Sequence, residues 1–323
     1  MMKQGLYITL IGSLLAVSAC QKETSETGAL SEENSIVTSD EESQNSVMST
    51  AEAMAALTDN DWRDLDQDNT LYMTLESGGQ LVIELAPQFA PNHVSNIKTL
   101  VQENYFDGLW VIRSHDNYVA QWGDPSNENP RPLGSASATL DPEWESEWPT
   151  DLAWTELPDG DIYQDNAGYA YGFPVAGDKK SRKIGMAHCY GMVGVGRGNE
   201  IDSGNGSSLY MVTGHSPRHL DRNVTLVGRA WIGMEHLSSL PRGTEALGFY
   251  ATPEEYTQIS SVRLGSDLPP EHRENLQILR TDTPAFSDYV AARRYRTEDW
   301  FVDPAGHIEL CNVPMPTRQK PQD

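Results

Sequence analysis

LWVIRSHDNYVAQWGDP, residues 109–125, sets one arginine inside an apolar run and closes on Gln-Trp-Gly-Asp. An arginine in such a run is ordinarily exposed, its stem lying over apolar surface. What flanks Arg113 therefore decides between a solvated strand residue and a group that does chemistry. Upstream, TLYMTLESGGQLVIEL (70–85) gives two β-rich runs around Ser77-Gly78-Gly79, the signal of a hairpin. APNHVSNIKTLVQENYF (90–106) then places Pro91 near a helix start and Val94, Ile97, Leu100 and Val101 on one helical face. Asp107-Gly108 is a tight turn leading into the quoted stretch as a further strand.

Hairpin, helix, Tyr-Asp-Gly-like turn and arginine strand, in the order VIELAPQFAPNHVSNIKTLVQENYFDGLWVIRSHDNYVAQWGDP, resemble the amino-terminal half of a cyclophilin, the peptidyl-prolyl cis-trans isomerase family. The intervals from Asp107-Gly108 to Arg113, and from Arg113 to Gln121 and Gly123-Asp124, match without a gap. MVGVGRGNEIDSGNGSSLYMVTGHSPRHLDRNVTLVGRAWIGMEHL (192–237) resembles the family's later strands and turns. The resemblance covers roughly residues 68–243. It implies a mainly β fold, a closed eight-stranded antiparallel barrel capped by two helices, over residues 61–244. An acidic, tryptophan-bearing insert at about 125–185, with Trp144, Trp148 and Trp154, is expected to form surface loops packed on the barrel. Residues 245–323 lie outside the resemblance and form an extension, with one amphipathic helix after Pro284 carrying Phe286, Tyr289 and Val290.

The chain as a whole has 323 residues, 38% of them hydrophobic, and a formal net charge of −24, so nucleic acid and anionic lipid headgroups are poor partners for the folded part. Two short basic clusters, Lys179–Lys183 and Arg293–Arg296, read as solvated surface. MMKQGLYITLIGSLLAVSAC opens the chain as an export signal over residues 1–19, and Val17-Ser18-Ala19-Cys20 resembles the lipobox of bacterial lipoproteins. That resemblance implies lipidation of Cys20, a periplasm-facing protein anchored in a membrane, and, with Gln21 after the cysteine, a leaning towards the outer membrane. Residues 20–60, rich in Ser, Thr, Glu and Asn, read as the lipidated cysteine and a disordered acidic tether, with a short helix possible at 51–59. Cys189 and Cys311 fit two buried thiols as well as one disulfide.

The chemistry implied by the resemblance needs neither cofactor nor metal. Rotation about a peptide bond meets a barrier of about 18–20 kcal/mol. At the twisted transition state the prolyl nitrogen regains a lone pair, and a guanidinium aimed at it binds that state better than either planar form. Arg113 takes this role. By position, Tyr118, Val119, Gln121, Gly196, Tyr210 and Leu220 form the substrate pocket, with Gln121 orienting the arginine; the alternative is ordinary barrel core. The sequence departs from the family at several places. Val111-Ile112 replaces Phe-His, Gly196-Arg197 replaces Ala-Asn, Ser208-Leu209-Tyr210 replaces Gln-Phe-Phe, and Val224 replaces a histidine. His219 stands where cyclosporin-sensitive members carry Trp, which implies weak binding of that drug.

Other signals fail. Gly194-Val195-Gly196-Arg197-Gly198 lacks the third glycine and the βαβ context of a dinucleotide fingerprint. His215 and His219 have helical ligand spacing, but Pro217 sits between them. The expected function is a peptidyl-prolyl isomerase acting on X-Pro bonds in unfolded or extended exported polypeptides. The alternative is a catalytically weak binding or chaperone module at the envelope, using the insert to hold a partner.

Overall fold

The computed structural model describes residues 47–126 and 128–321; the expected signal segment, the lipidation site Cys20 and most of the expected tether lie outside the described residues. In chain order the strands are β1 (Trp62–Asp64), β2 (Thr70–Leu75), β3 (Gln80–Leu85), β4 (Trp110–Ser114) and β5 (Val119–Gly123). The insert contributes β6 (Ser146–Glu147), β7 (Trp154–Glu156), β8 (Asn166–Ala170), β9 (Phe173–Asp178) and β10 (Lys183–Met186). There follow β11 (Met192–Val195), β12 (Leu209–Val212), β13 (Leu226–Ile232), β14 (Thr257–Leu264), β15 (Leu276–Leu279) and β16 (Thr317–Gln319). The helices are α1 (Thr50–Ala55), α2 (Pro91–Gln102), α3 (Met234–Ser238) and α4 (Pro284–Tyr295).

Eight strands close an antiparallel barrel in the order β11-β12-β5-β4-β14-β2-β3-β13. Its alternating inward residues fill it: Leu71, Met73 and Leu75 from β2, Leu81, Ile83 and Leu85 from β3, and Trp122 and Met211 belong to one buried cluster. The β2–β3 hairpin turns through Gly78 at φ +87°, a backbone setting that favours glycine. Helix α2, with Pro91 in its first turn, turns Val94, Ile97, Leu100 and Val101 onto the barrel, and α3 adds Leu237. Two helices thus cap the barrel.

The expected domain boundary after residue 244 is corrected by the structure. Only seven of the barrel strands precede it; the eighth, β14, comes from the extension and runs between β2 and β4. Its sequence, TQISSVRL, hides this role because a bulge at Ser260 shifts the register between Ile259 and Ser261 and breaks the simple alternation.

The insert is also more than loops. Its strands form a five-stranded sheet, β6-β10-β9-β8-β7, with Trp148 buried edge-on to Trp154 at 4.9 Å between ring centroids. The extension packs on this sheet: Phe286, Tyr289 and Val290 of α4, together with Ile308, Leu310 and Val313, join Tyr169 and Phe173 in one core. Tyr169 donates its hydroxyl to the Leu310 carbonyl. Cys189, just ahead of β11, is disulfide-bonded to Cys311 of the extension, which settles the pairing left open above. Order begins earlier than the expected tether boundary at residue 60. Ser49 and Glu52 form a capping box on α1, and α1 packs on α4, so residues 49–60 belong to the folded part. β1 pairs with β15, and β15 with β16, in a small third sheet that ties the two chain ends of the fold together.

Candidate active site

The outer face of the barrel carries a row of side chains fixed by strand register. Arg113 on β4 stands opposite Gln121 on β5, Gln121 opposite Tyr210 on β12, and Tyr210 opposite Gly194 on β11. Residues directly opposite in antiparallel strands share a face. Arg113 reaches this face because β4 carries a bulge between Val111 and Arg113, which leaves Ile112 as the extra residue and re-aims the arginine. At Gly194 a Cβ would come within 2.4 Å of the Tyr210 hydroxyl, so the absence of a side chain there lets the tyrosine ring lie across the strand.

All seven residues assigned to the site by sequence, Arg113, Tyr118, Val119, Gln121, Gly196, Tyr210 and Leu220, line one cavity of about 220 Å³, joined by Val195, Arg197, Gly198 and Val224. The volume lies below the roughly 300–1,000 Å³ of sites for drug-sized ligands. It suits a small ring with its flanking backbone.

Three hydrogen bonds hold the Arg113 fork. Its Nε donates to the Leu247 carbonyl at 2.6 Å, one Nη donates to Oε1 of Gln121 at 3.0 Å, and the other meets Nδ1 of His115 at 3.2 Å. Gln121 in turn donates to the Ser208 hydroxyl at 3.0 Å. The guanidinium lies between two rings, Tyr118 at 5.6 Å and Phe249 at 5.3 Å. Of its five N–H groups, one on each terminal nitrogen is left for a ligand in the cavity. Burial lowers the arginine's pKa from its ordinary value, but a guanidinium so far above neutrality keeps its charge.

Beneath the pocket lies a network the sequence did not reveal. The Tyr210 hydroxyl is 2.7 Å from Nε2 of His188, and Nδ1 of His188 is 2.7 Å from Asp221. Asp221 also accepts from Nε of Arg218, whose two terminal nitrogens grip Asp161 of the insert at 3.0 and 2.5 Å. His188 is fully buried. Burial pushes the imidazole pKa down. Burial pushes the Asp221 carboxyl up, yet its hydrogen bond to His188 and the charge of Arg218 outweigh that and hold it below the usual range. The pair is therefore a neutral imidazole with its proton on Nδ1, facing an aspartate anion. Nε2 is left as an acceptor, and Tyr210 donates to it.

Two further contributors came from regions without a legible signal. Leu247 and Phe249 belong to the segment 243–250, which runs beside β4: Gly243 donates to the Ser114 carbonyl and Tyr250 to that of Ile112. Leu247 sits at φ +60°, aiming its carbonyl at Arg113. The departures from the family pattern also take shape here. Arg197 stays on the cavity lining and donates to the carbonyls of Asn223 and Gly198. His219 is exposed and stacks on Tyr118 at 6.1 Å.

A closed, self-filled barrel with a charged donor beside a small apolar pocket on its outer wall defines the class of protein. Residues 70–264 match the family described as cyclophilin type peptidyl-prolyl cis-trans isomerase/CLD. The chain belongs to the cyclophilin-type peptidyl-prolyl cis-trans isomerase family. A probable peptidyl-prolyl cis-trans isomerase of Brucella suis biovar 1 (strain 1330) is 26% identical over 181 residues, 56% of this chain and 76% of that protein. Peptidyl-prolyl cis-trans isomerase B of Bacillus subtilis (strain 168) is 39% identical over 56 residues, 17% of this chain and 39% of that one. The crystal structure of cyclophilin AquaCyp293 from Hirschia baltica superposes with a TM-score of 0.64 at 27% identity, covering 80% of this chain and 92% of that one. That coverage is wider than residues 70–264, so part of the likeness lies outside the barrel.

Proposed function

We propose that the protein isomerises X-Pro bonds in unfolded or extended segments of exported polypeptides, with Arg113 stabilising the twisted amide. The observation that carries this reading is the Arg113 fork, pinned by Leu247, Gln121 and His115 at the edge of a small apolar cavity with two N–H groups unspent. The prolyl ring enters between Tyr118, Val119, Tyr210 and Leu220, which excludes water from the amide. As the C–N bond turns, its nitrogen loses resonance and becomes basic, and an N–H of Arg113 donates to it. No proton is transferred and no covalent bond forms. A preorganised donor of this kind is worth about 2.7–4 kcal/mol, or roughly 10²–10³ in rate.

Export is supported by the Cys189–Cys311 disulfide, since such bonds persist in oxidising compartments. With the signal-like residues 1–19 and the lipobox-like run ending at Cys20, the protein is read as lipid-anchored and periplasm-facing, with the outer membrane as its expected site. The test is the cis-to-trans rate of a panel of X-Pro peptides with residues 21–323, wild type against Arg113→Ala. Acceleration that falls by about 10²–10³ in the variant, with circular dichroism unchanged, supports the reading. No acceleration of any peptide by the wild type removes it and leaves a barrel kept for binding.

A further inference from the structure

A second cavity, of about 1050 Å³, lies where the barrel, the insert sheet and the extension meet, bounded by β13, α3, α4 and the Cys189–Cys311 bridge. We propose that it is a binding site for a small multivalent oxyanion, a compound with clustered phosphate or carboxylate groups, held by Arg229, Arg293 and Arg296. Arg293, Arg294 and Arg296, read from sequence as part of a solvated patch, line this cavity and are half-buried.

The chain has 47 acidic residues against 23 basic ones, yet among the described residues only half of its sixteen arginines hold a carboxylate within ion-pair distance. Arg63, Arg218, Arg263, Arg280 and Arg318 each hold one at 2.8 Å or less. In this cavity Arg294 is likewise bound to Asp159. Among the described residues Arg229, Arg293 and Arg296 have no carboxylate within ion-pair distance, and unlike the other unpaired arginines, Arg113, Arg131, Arg197, Arg222 and Arg273, these three converge on one cavity of about 1050 Å³. Register places Glu84 opposite Arg229, but that carboxylate is taken by both terminal nitrogens of Arg63 and by the Trp231 indole. The Nε atoms of Arg229 and Arg293 are buried with no acceptor.

These arginines are positioned as well as unpaired. Arg229 lies over the Trp231 ring at 4.6 Å and Arg296 over Phe301 at 5.1 Å, which fixes each guanidinium plane. Burial lowers the pKa of Arg229 against the opposing pull of Tyr169 and Glu84, and burial followed by the charge of Arg293 lowers that of Arg296, outweighing the nearby Glu298 carboxylate. Like charges gathered in a partly desolvated cavity repel one another, and an anion spanning them relieves that repulsion. The carboxylates on the lining, Asp303 and Glu309, are both exposed, and Glu309 accepts from Asn312. Met234, Phe301 and Met315 supply an apolar wall for a ligand with a carbon body.

The test is calorimetric titration and thermal unfolding of residues 21–323 in low-chloride buffer. The probes are inorganic pyrophosphate and citrate, with sodium chloride at matched ionic strength as control. Saturable binding of either probe, weakened at least tenfold in Arg293→Gln and in Arg296→Gln and unchanged in Arg113→Ala, supports the site; the stronger probe tells phosphate from carboxylate chemistry. Arg293 lies in the last turn of α4 and Arg296 at its C-cap, and circular dichroism with the unliganded thermal midpoint shows that each variant folds before its binding is compared. Stabilisation no greater than that of sodium chloride overturns the proposal, as do affinities unchanged in the two variants or lost in Arg113→Ala.

Discussion

Replacing Tyr210 with phenylalanine returns the pocket floor to the residue usual in the family, yet it should destabilise this chain. Among the described residues, the Tyr210 hydroxyl is the only donor to Nε2 of His188, and His188 is fully buried, out of reach of solvent. Asp221 fixes the imidazole proton on Nδ1, so the variant strands a lone pair in the interior. A buried acceptor without a donor costs about 1–3 kcal/mol. At roughly 2–4 °C per kcal/mol for a protein of this size, the thermal midpoint should fall by about 2–12 °C. Followed by circular dichroism at pH 7.5, the same loss should vanish when His188→Ala is already present, because the acceptor is then gone. A double-mutant cycle should therefore give a coupling of about 1 kcal/mol or more. Arg113 keeps its three partners, so X-Pro rates should change little. A Tyr210→Phe protein as stable as the wild type would refute the assignment of donor and acceptor.

Three other outcomes follow from the same geometry. The folded protein depresses the His188 pKa, so below the ordinary value near 6.5 the unfolded chain takes up a proton that the folded site refuses. Stability should fall as pH drops from about 7 to 5, by at most about 1.4 kcal/mol per pH unit from this group, and denaturant titrations of His188→Gln should show a shallower fall. Phe249→Ala removes one of the two rings flanking Arg113; at about 0.5–2 kcal/mol, kcat/KM for X-Pro peptides should drop roughly 2–30-fold, and an unchanged value would show that the ring is idle. Cys311→Ser opens a covalent loop spanning 122 positions and should lower unfolding free energy by about 2–5 kcal/mol, read as a shift in denaturant midpoint matched by reducing the wild type.

Much of the barrel was legible because its strands and helix carry local signals. Ser77-Gly78-Gly79 marks a hairpin, Pro91 opens an amphipathic helix, and the interval from Gly108 to Arg113 to Gln121 sets the register of the pocket. The seven assigned residues meet in one cavity for that reason. The rest of the fold depends on distant pairing, which no local signal carries. β14 has two serines where alternation predicts one outward residue, and its place between β2 and β4 is set by chain arriving some 180 residues later. The insert's strands are short and divided by Gly and Pro, and their core is completed only by Phe286, Leu310 and Val313 from the far end of the chain. His188 lies in MAHCYG, a run without periodicity, and its role exists only because Asp221 and Tyr210 fold onto it. The arginines of α4 looked like surface because a charge cluster in a sequence carries no record of what closes over it.

The late position of β14 has a bearing on how the molecule is made. A ribosome releases residues 70–85 long before residues 257–264, and until the latter arrive β2 and β4 each present an unpaired edge. Open edges are templates for joining strands of other chains. The nascent protein must therefore wait, exposed, for most of its own length to emerge, and a version trimmed at residue 244 would wait indefinitely. Closure of the barrel thus comes late in the chain's synthesis, set by a strand that its own carboxyl-terminal extension delivers.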